Sequence, residues 1–107
     1  MRKSRADGFF EAGMKLYNNE DYKGAISSFE KAISLEPKYY EALYNLACCL
    51  AMTNSNEKAI INLKEACDLS PECMAWAKDD MEFDRMRDDP EFLNIVENTQ
   101  LDSILKE

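Results

Sequence analysis

Apolar residues along this chain recur at helical spacing, two helices at a time. Phe9, Ala12, Gly13 and Leu16 share one face of a first helix; after a break, Tyr22, Ala25, Ile26, Phe29, Ala32 and Ile33 share one face of a second. The pattern then returns at a fixed interval. Pro37 and Pro71 stand 34 residues apart, and the positions before them agree in type: Ala25 with Ala59, Ile26 with Ile60, Phe29 with Leu63, Ala32 with Ala66 and Leu35 with Leu69. Upstream, Phe9 pairs with Leu43, Ala12 with Leu46, Gly13 with Ala47 and Leu16 with Leu50. Self-similarity at this period predicts two stacked units of two amphipathic helices each.

The breaks between helices have local causes. Asn18 and Asn19, and later Asn54, can take the left-handed backbone that ends a helix, and Asp21 and Ser55 stand where side chains cap the next one. Pro37 and Pro71 close the second helix of each pair. Gly13 and Ala47 are small residues inside the first helices, as a close helix–helix approach requires, and the glycine accepts a helix-propensity cost of about 1 kcal/mol.

Residues 74–107 do not repeat the pattern a third time, since a third copy would put Asp80 and Asp84 at apolar positions. The spacing there predicts a short helix around Met74 to Lys78, then a turn or short helix carrying Phe83 and Met86. A further helix is predicted with Asp89 as N-cap and Pro90 as its first residue. Phe92, Ile95 and Val96 form its apolar face, and Ile104 and Leu105 continue it after a break near Thr99. Trp76, Phe83, Met86 and Phe92 are the expected cap core. Two repeats alone leave an apolar face on the last helix pair, so a segment of this kind is needed.

Phe9, Gly13, Leu16, Tyr22, Ala25, Phe29, Ala32 and Pro37 match the signature of the tetratricopeptide repeat in order and spacing. So do Leu43, Leu46, Ala47, Leu50, Ala59, Leu63, Ala66 and Pro71, and the chain therefore resembles that family across residues 6–73. It departs at Asn56, where the repeat has an aromatic. The run from Ala77 through Asp80, Phe83, Met86 and Arg87 to Asp89-Pro90-Glu91-Phe92 resembles a closing segment that follows such repeats. The resemblance implies an all-α fold, a right-handed stack of antiparallel helix pairs forming a short α-solenoid with C-terminal capping helices. It divides one domain, residues 1–107, into repeats at 6–39 and 40–73 and a cap at 74–107.

It further implies that the first helix of each pair lines a concave groove. That places Asp7, Phe10, Met14, Tyr17 and Asn18 from the first unit, and Glu41, Tyr44, Asn45, Cys48 and Met52 from the second, in a peptide-binding groove with Lys38 at the junction. Phe10, Met14, Tyr17 and Tyr44 would then be an aromatic and thioether surface, of the sort a soluble monomer covers with a partner. The expected occupant is an apolar helix or extended peptide of a protein partner, anchored on Tyr17 and Tyr44, with Asn45 bonding its backbone. The alternative is a structural subunit whose groove is covered by its own C-terminal helix or by a second copy in a homo-oligomer.

Some members of the family clamp the acidic C-terminal tail of chaperones through Lys, Asn and Arg. Here Asn45 matches, but Phe10, Met14 and Ala75 stand where that clamp needs polar or basic groups, so such a tail does not fit.

Composition narrows the functions further. With 13 Lys and Arg against 21 Asp and Glu, the formal charge is -8, which disfavours nucleic acid and anionic membrane surfaces as partners. Arg2, Lys3 and Arg5 lead into Ala6, Asp7 and Gly8 with no apolar signal-like stretch behind them. Cys48, Cys49, Cys67 and Cys73 include no CxxC pair, and the chain has no histidine, which argues against a zinc site and for a reduced, cytoplasmic setting. Cys49 and Cys67 take positions that small residues fill inside a stack, whereas Cys48 would be reactive only if it faced the groove.

The acidic run from Asp79 to Glu91 lacks the glycine and ligand order of a calcium loop and reads as a solvated face. Neither a histidine base nor a Gly-rich phosphate loop is present, so the expectation is a binding module, not an enzyme, and no cofactor is implied.

Overall fold

The computed structural model describes residues 3–97, and among these the architecture is all-helical. Helices α1 (Arg5–Asn18), α2 (Tyr22–Leu35), α3 (Tyr40–Met52), α4 (Asn56–Leu69) and α5 (Glu72–Asp79) precede a 3-10 helix, Met81–Met86. A sixth helix, α6, begins at residue 90 and runs through the remaining described positions. The expectation of a break at Thr99 and a continuation through Ile104 and Leu105 falls outside the described residues. Antiparallel pairing of α1 with α2 and of α3 with α4 builds the stack; α2 packs on α3, the 3-10 helix on α3 and α5 on α4.

Helix α1 starts on a capping box: the Asp7 backbone N–H donates to Ser4 Oγ at 3.0 Å, and the Ser4 N–H donates back to the Asp7 carboxylate at 3.3 Å. Asp21 caps α2 by accepting the Gly24 N–H at 3.0 Å. Ser55 occupies the equivalent position before α4 but makes no side-chain cap bond, contrary to expectation.

Both first helices end alike. The Asp21 N–H reaches back to the Leu16 carbonyl and the Ser55 N–H to the Leu50 carbonyl, each at 2.8 Å. A bond of that span needs a left-handed residue just before its donor. Those residues are Glu20 (φ 62°) and Asn54 (φ 65°). Asn54 agrees with expectation, but Glu20 takes the place expected of Asn18 or Asn19, because the bond from Asp21 fixes the position whatever residue occupies it.

The core runs the length of the stack. Ala25, Phe29 and Ala32 of α2 meet α3, which buries Ala42, Leu43, Tyr44, Leu46, Ala47, Cys48, Cys49, Leu50 and Ala51, so its exposed face is narrow. Ala59, Ile60, Leu63, Ala66 and Cys67 continue the core on α4. Phe29 and Leu63, paired across the repeat, are both fully buried, each contributing about 2 kcal/mol of apolar transfer. Gly13 explains the approach of α1 to α2: a Cβ there would stand 2.6 Å from the Phe29 ring.

Helix α5 takes the place of a first helix in a third pair for eight residues and stops where Asp80 falls at the apolar position. Its last carbonyls are then covered by Arg87. The guanidinium donates to the Lys78 and Asp80 carbonyls at 2.7 Å and, more weakly, to Ala77 at 3.4 Å, and pairs with Asp84 at 2.8 Å. A cation at a helix C-terminus also offsets the negative end of the helix dipole. Phe83, Met86 and Phe92 form the cap core as expected, with Phe92 against Phe83 at 5.6 Å between ring centroids. Trp76 does not join them: 37 % of it is exposed.

Candidate binding cleft

Helices α1, α3 and α5 present a common face, and a cleft of about 440 Å³ opens between them. It is lined by Phe10, Glu41, Tyr44, Asn45, Ala75, Trp76, Asp79 and Asp80. Four of the expected groove residues, Phe10, Glu41, Tyr44 and Asn45, thus meet in one place.

Aromatic rings build its walls. Phe10 stacks on Tyr39 at 5.1 Å and leans on Phe29 at 5.7 Å. Trp76 lies across from Tyr40 at 6.3 Å and meets the Tyr44 ring edge-on at 5.2 Å. Asn45 donates one amide N–H to the Glu41 carbonyl at 2.8 Å, which holds its side chain along α3.

Tyr44 differs from the expectation of an exposed anchor. Only 5 % of it is accessible, its ring also packs edge-on against Phe83, and its hydroxyl donates to the Asp80 carboxylate. It tethers the cap to α3, because α5 and the 3-10 helix close over the ring. Burial first, then the charge of neighbouring groups, pushes its phenol well above the ordinary tyrosine range. Cys48 is likewise inside the stack and not on the groove; burial raises its thiol well above the usual value.

The other expected residues are dispersed. Met14 and Tyr17 are half-buried, Tyr17 meeting the edge of Tyr22 at 5.6 Å, while Asn18 is exposed at the end of α1, Lys38 is exposed in the turn between α2 and α3, and Met52 is 41 % exposed at the end of α3. None of these five lines the cleft. Asp7 is engaged by its capping box and by the Tyr39 hydroxyl, which donates to it at 2.7 Å. The Tyr39 bond is the chief reason its carboxyl lies below the usual range.

Ala75, Trp76, Asp79 and Asp80 supply half of the lining; of these only Ala75, at a clamp position, belongs to the groove expected from sequence. A signal existed: Ala75 and Asp79 stand 34 residues after Glu41 and Asn45, so a first helix continued into the third unit would have placed them beside those residues.

The cleft is acidic as well as aromatic. Among the described residues its lining holds Glu41, Asp79 and Asp80 and no Lys or Arg. Ion pairs among the described residues are Lys3–Glu11, Lys64–Asp68 and Arg87–Asp84, none of which reaches it. Again among the described residues, no group of acidic or thiol side chains is arranged to hold a metal, and no helix is long and apolar enough to cross a membrane. Cys49, Cys67 and Cys73 are buried and unpaired, their thiols pushed up to about 12, chiefly by burial.

Two characterised proteins are similar to this chain. Over 74 residues, 69 % of the chain, it is 30 % identical to Protein STIP1 homolog of Dictyostelium discoideum. Over 109 aligned positions, 99 % of the chain, it is 26 % identical to a chloroplastic protein of Arabidopsis thaliana. The chain spans 13 % and 30 % of the lengths of these two relatives. Residues 16–73 match the family model described as tetratricopeptide repeat. With that match lying over the 34-residue period and the stacked helix pairs, the chain belongs to the tetratricopeptide repeat family.

Proposed function

We propose that this chain is an adaptor or scaffold module that holds a peptide or helix of a partner protein on the face formed by α1, α3 and α5. The family to which it belongs is a non-catalytic interaction repeat, so binding and not turnover is the function assigned. The observation that carries this reading is the open cleft between Phe10 and Trp76. Aromatic side chains are bound in place there yet still accessible, which is how rigid anchors supply contact area at low entropic cost.

Within that reading the contact residues are revised. Phe10, Glu41 and Asn45 remain, Trp76 replaces Tyr44 as the accessible anchor, and Met14, Tyr17, Asn18, Lys38 and Met52 are no longer assigned to the contact surface. Residues 1–107 act as one unit in which the cap completes the cleft through α5. Four unpaired thiols inside the stack fit a reduced, cytoplasmic setting. An acidic chaperone tail remains a poor fit because Glu41, Asp79 and Asp80 would repel it.

Affinity capture from host lysate with quantitative mass spectrometry tests the reading. A partner held in the cleft is expected to be depleted at least about fivefold by Trp76→Ala and by Asn45→Ala, and retained by Ile61→Ala, a change at an exposed α4 residue outside the cleft. Retention by both cleft variants removes the assignment.

A further inference from the structure

We infer that the segment held in this cleft is cationic, presenting an arginine or lysine side chain between the rings of Phe10 and Trp76 and beside the carboxylates of Glu41 and Asp79. This rests on the assignment of the cleft as the binding face and names the chemistry of its occupant. Three features point to a positive charge.

The first is the lining itself, which among the described residues combines two accessible aromatic walls with three carboxylates and no basic side chain. A guanidinium or ammonium group is the side-chain chemistry that satisfies both at once, lying over a ring face while bonding a carboxylate.

The second is that the basic residues that form ion pairs among the described residues do so away from the lining carboxylates. Lys3 and Lys64 pair on exposed helix surfaces, and Arg87 is held by the carbonyls at the end of α5 and by Asp84. Among the described residues the Glu41 and Asp79 carboxylates form no ion pair. Among the described residues the Asp80 carboxylate accepts from the Tyr44 hydroxyl and joins no ion pair.

The third is the negative charge that surrounds the neighbouring tyrosines. Tyr40, which borders the cleft through its contact with Trp76, has its phenol raised chiefly by the charge of Glu41, and negative charge from Asp7, Glu41 and Glu36 adds to burial at Tyr39. The face carries a negative field beyond the three lining carboxylates. With a formal charge of -8 on the whole chain, long-range steering acts in the same direction.

Nor does the described part of the C-terminal segment fill the space: no lining residue comes from positions 81–97.

Trp76 is the only tryptophan in the sequence, so it reports directly on the cleft. The chain of residues 1–107 is titrated with three blocked peptides that share one apolar framework and differ at two positions: arginine, neutral citrulline or glutamate. Trp76 fluorescence is followed at low and at raised salt. The arginine peptide is expected to bind at least about tenfold more tightly than the citrulline peptide, with the advantage shrinking as salt rises. It should also shrink in Glu41→Gln/Asp79→Asn. Both positions are solvent-accessible, and circular dichroism verifies that this variant keeps its helices and its melting temperature.

Equal binding of the arginine and citrulline peptides overturns the inference and leaves the cleft as a binding face. Binding of none of the three overturns both. If the peptide-free chain sediments as a dimer that the arginine peptide does not dissociate, the occupant is a second copy and the inference is likewise overturned.

Discussion

At Gly13 one absent carbon sets how closely α1 and α2 can pack. A Cβ would lie 2.6 Å from a Phe29 ring that is fully buried and has nowhere to swing. Alanine gains about 1 kcal/mol in helix propensity, while forced repacking around a buried ring costs about 1–3 kcal/mol. Gly13→Ala is therefore expected to destabilise the chain by about 1 kcal/mol, read as a lower urea midpoint with unchanged slope. A raised midpoint would mean that α1 shifts freely, against this account.

The need for a small residue here was legible from sequence because Ala47 stands at the equivalent place; that Phe29 is the ring it admits was not. Tyr44 makes the opposite case. Its spacing puts it on the groove side of α3, yet its burial depends on Asp80 and Phe83, 36 and 39 residues further on, which no local pattern connects to it. Truncation of Tyr44 would loosen the cap as well as the cleft, and Trp76 is the cleaner probe of binding.

Among the elements, α3 is the central one and α5 with the 3-10 helix is the improvised one. Alternation of amphipathic segments at the period of 34 made α1 to α4 readable, and their ends followed from backbone bonds that favour the same register in both units. The cap broke that register at Asp80, and its arrangement depends on one side chain reaching back across the turn. Arg87 covers carbonyls of residues 77, 78 and 80 at once.

Removing it leaves the end of α5 without its cation and Asp84 without its partner. Arg87→Ala is expected to cost about 2 kcal/mol, with the loss of amide protection in hydrogen exchange concentrated in α5 and the 3-10 helix. Uniform loss across α1 to α4 would contradict a local capping role. In the sequence this arginine is legible only as part of a closing segment; its carbonyl contacts require the fold.

For the whole molecule, the buried thiols couple stability to alkaline pH. Cys49, Cys67 and Cys73 have their thiols raised from 9.0 to about 12 by burial. Above pH 9 the unfolded chain releases these protons while the folded chain keeps them, so stability is complete below about 9 and declines as pH rises toward 12. Each thiol contributes about 1.4 kcal/mol per pH unit across that window. Together they are expected to unfold a domain of ordinary stability between about pH 10 and 12. Urea midpoints measured from about pH 8 to about pH 11 should fall accordingly, and Cys67→Ala should reduce the slope by about one proton. An unchanged slope in that variant would show that its thiol is already ionised or exposed in the native state.

What the sequence determined by itself was the helical periodicity, the interval of 34 and the small and large positions that repeat with it, because these are local constraints applied twice along one chain. Only the tertiary structure decided which side chains face the shared cleft. That choice depends on α5 folding beside α3, which buries Tyr44, leaves Trp76 open, and gathers Glu41, Asp79 and Asp80 from distant parts of the chain into one acidic, aromatic space.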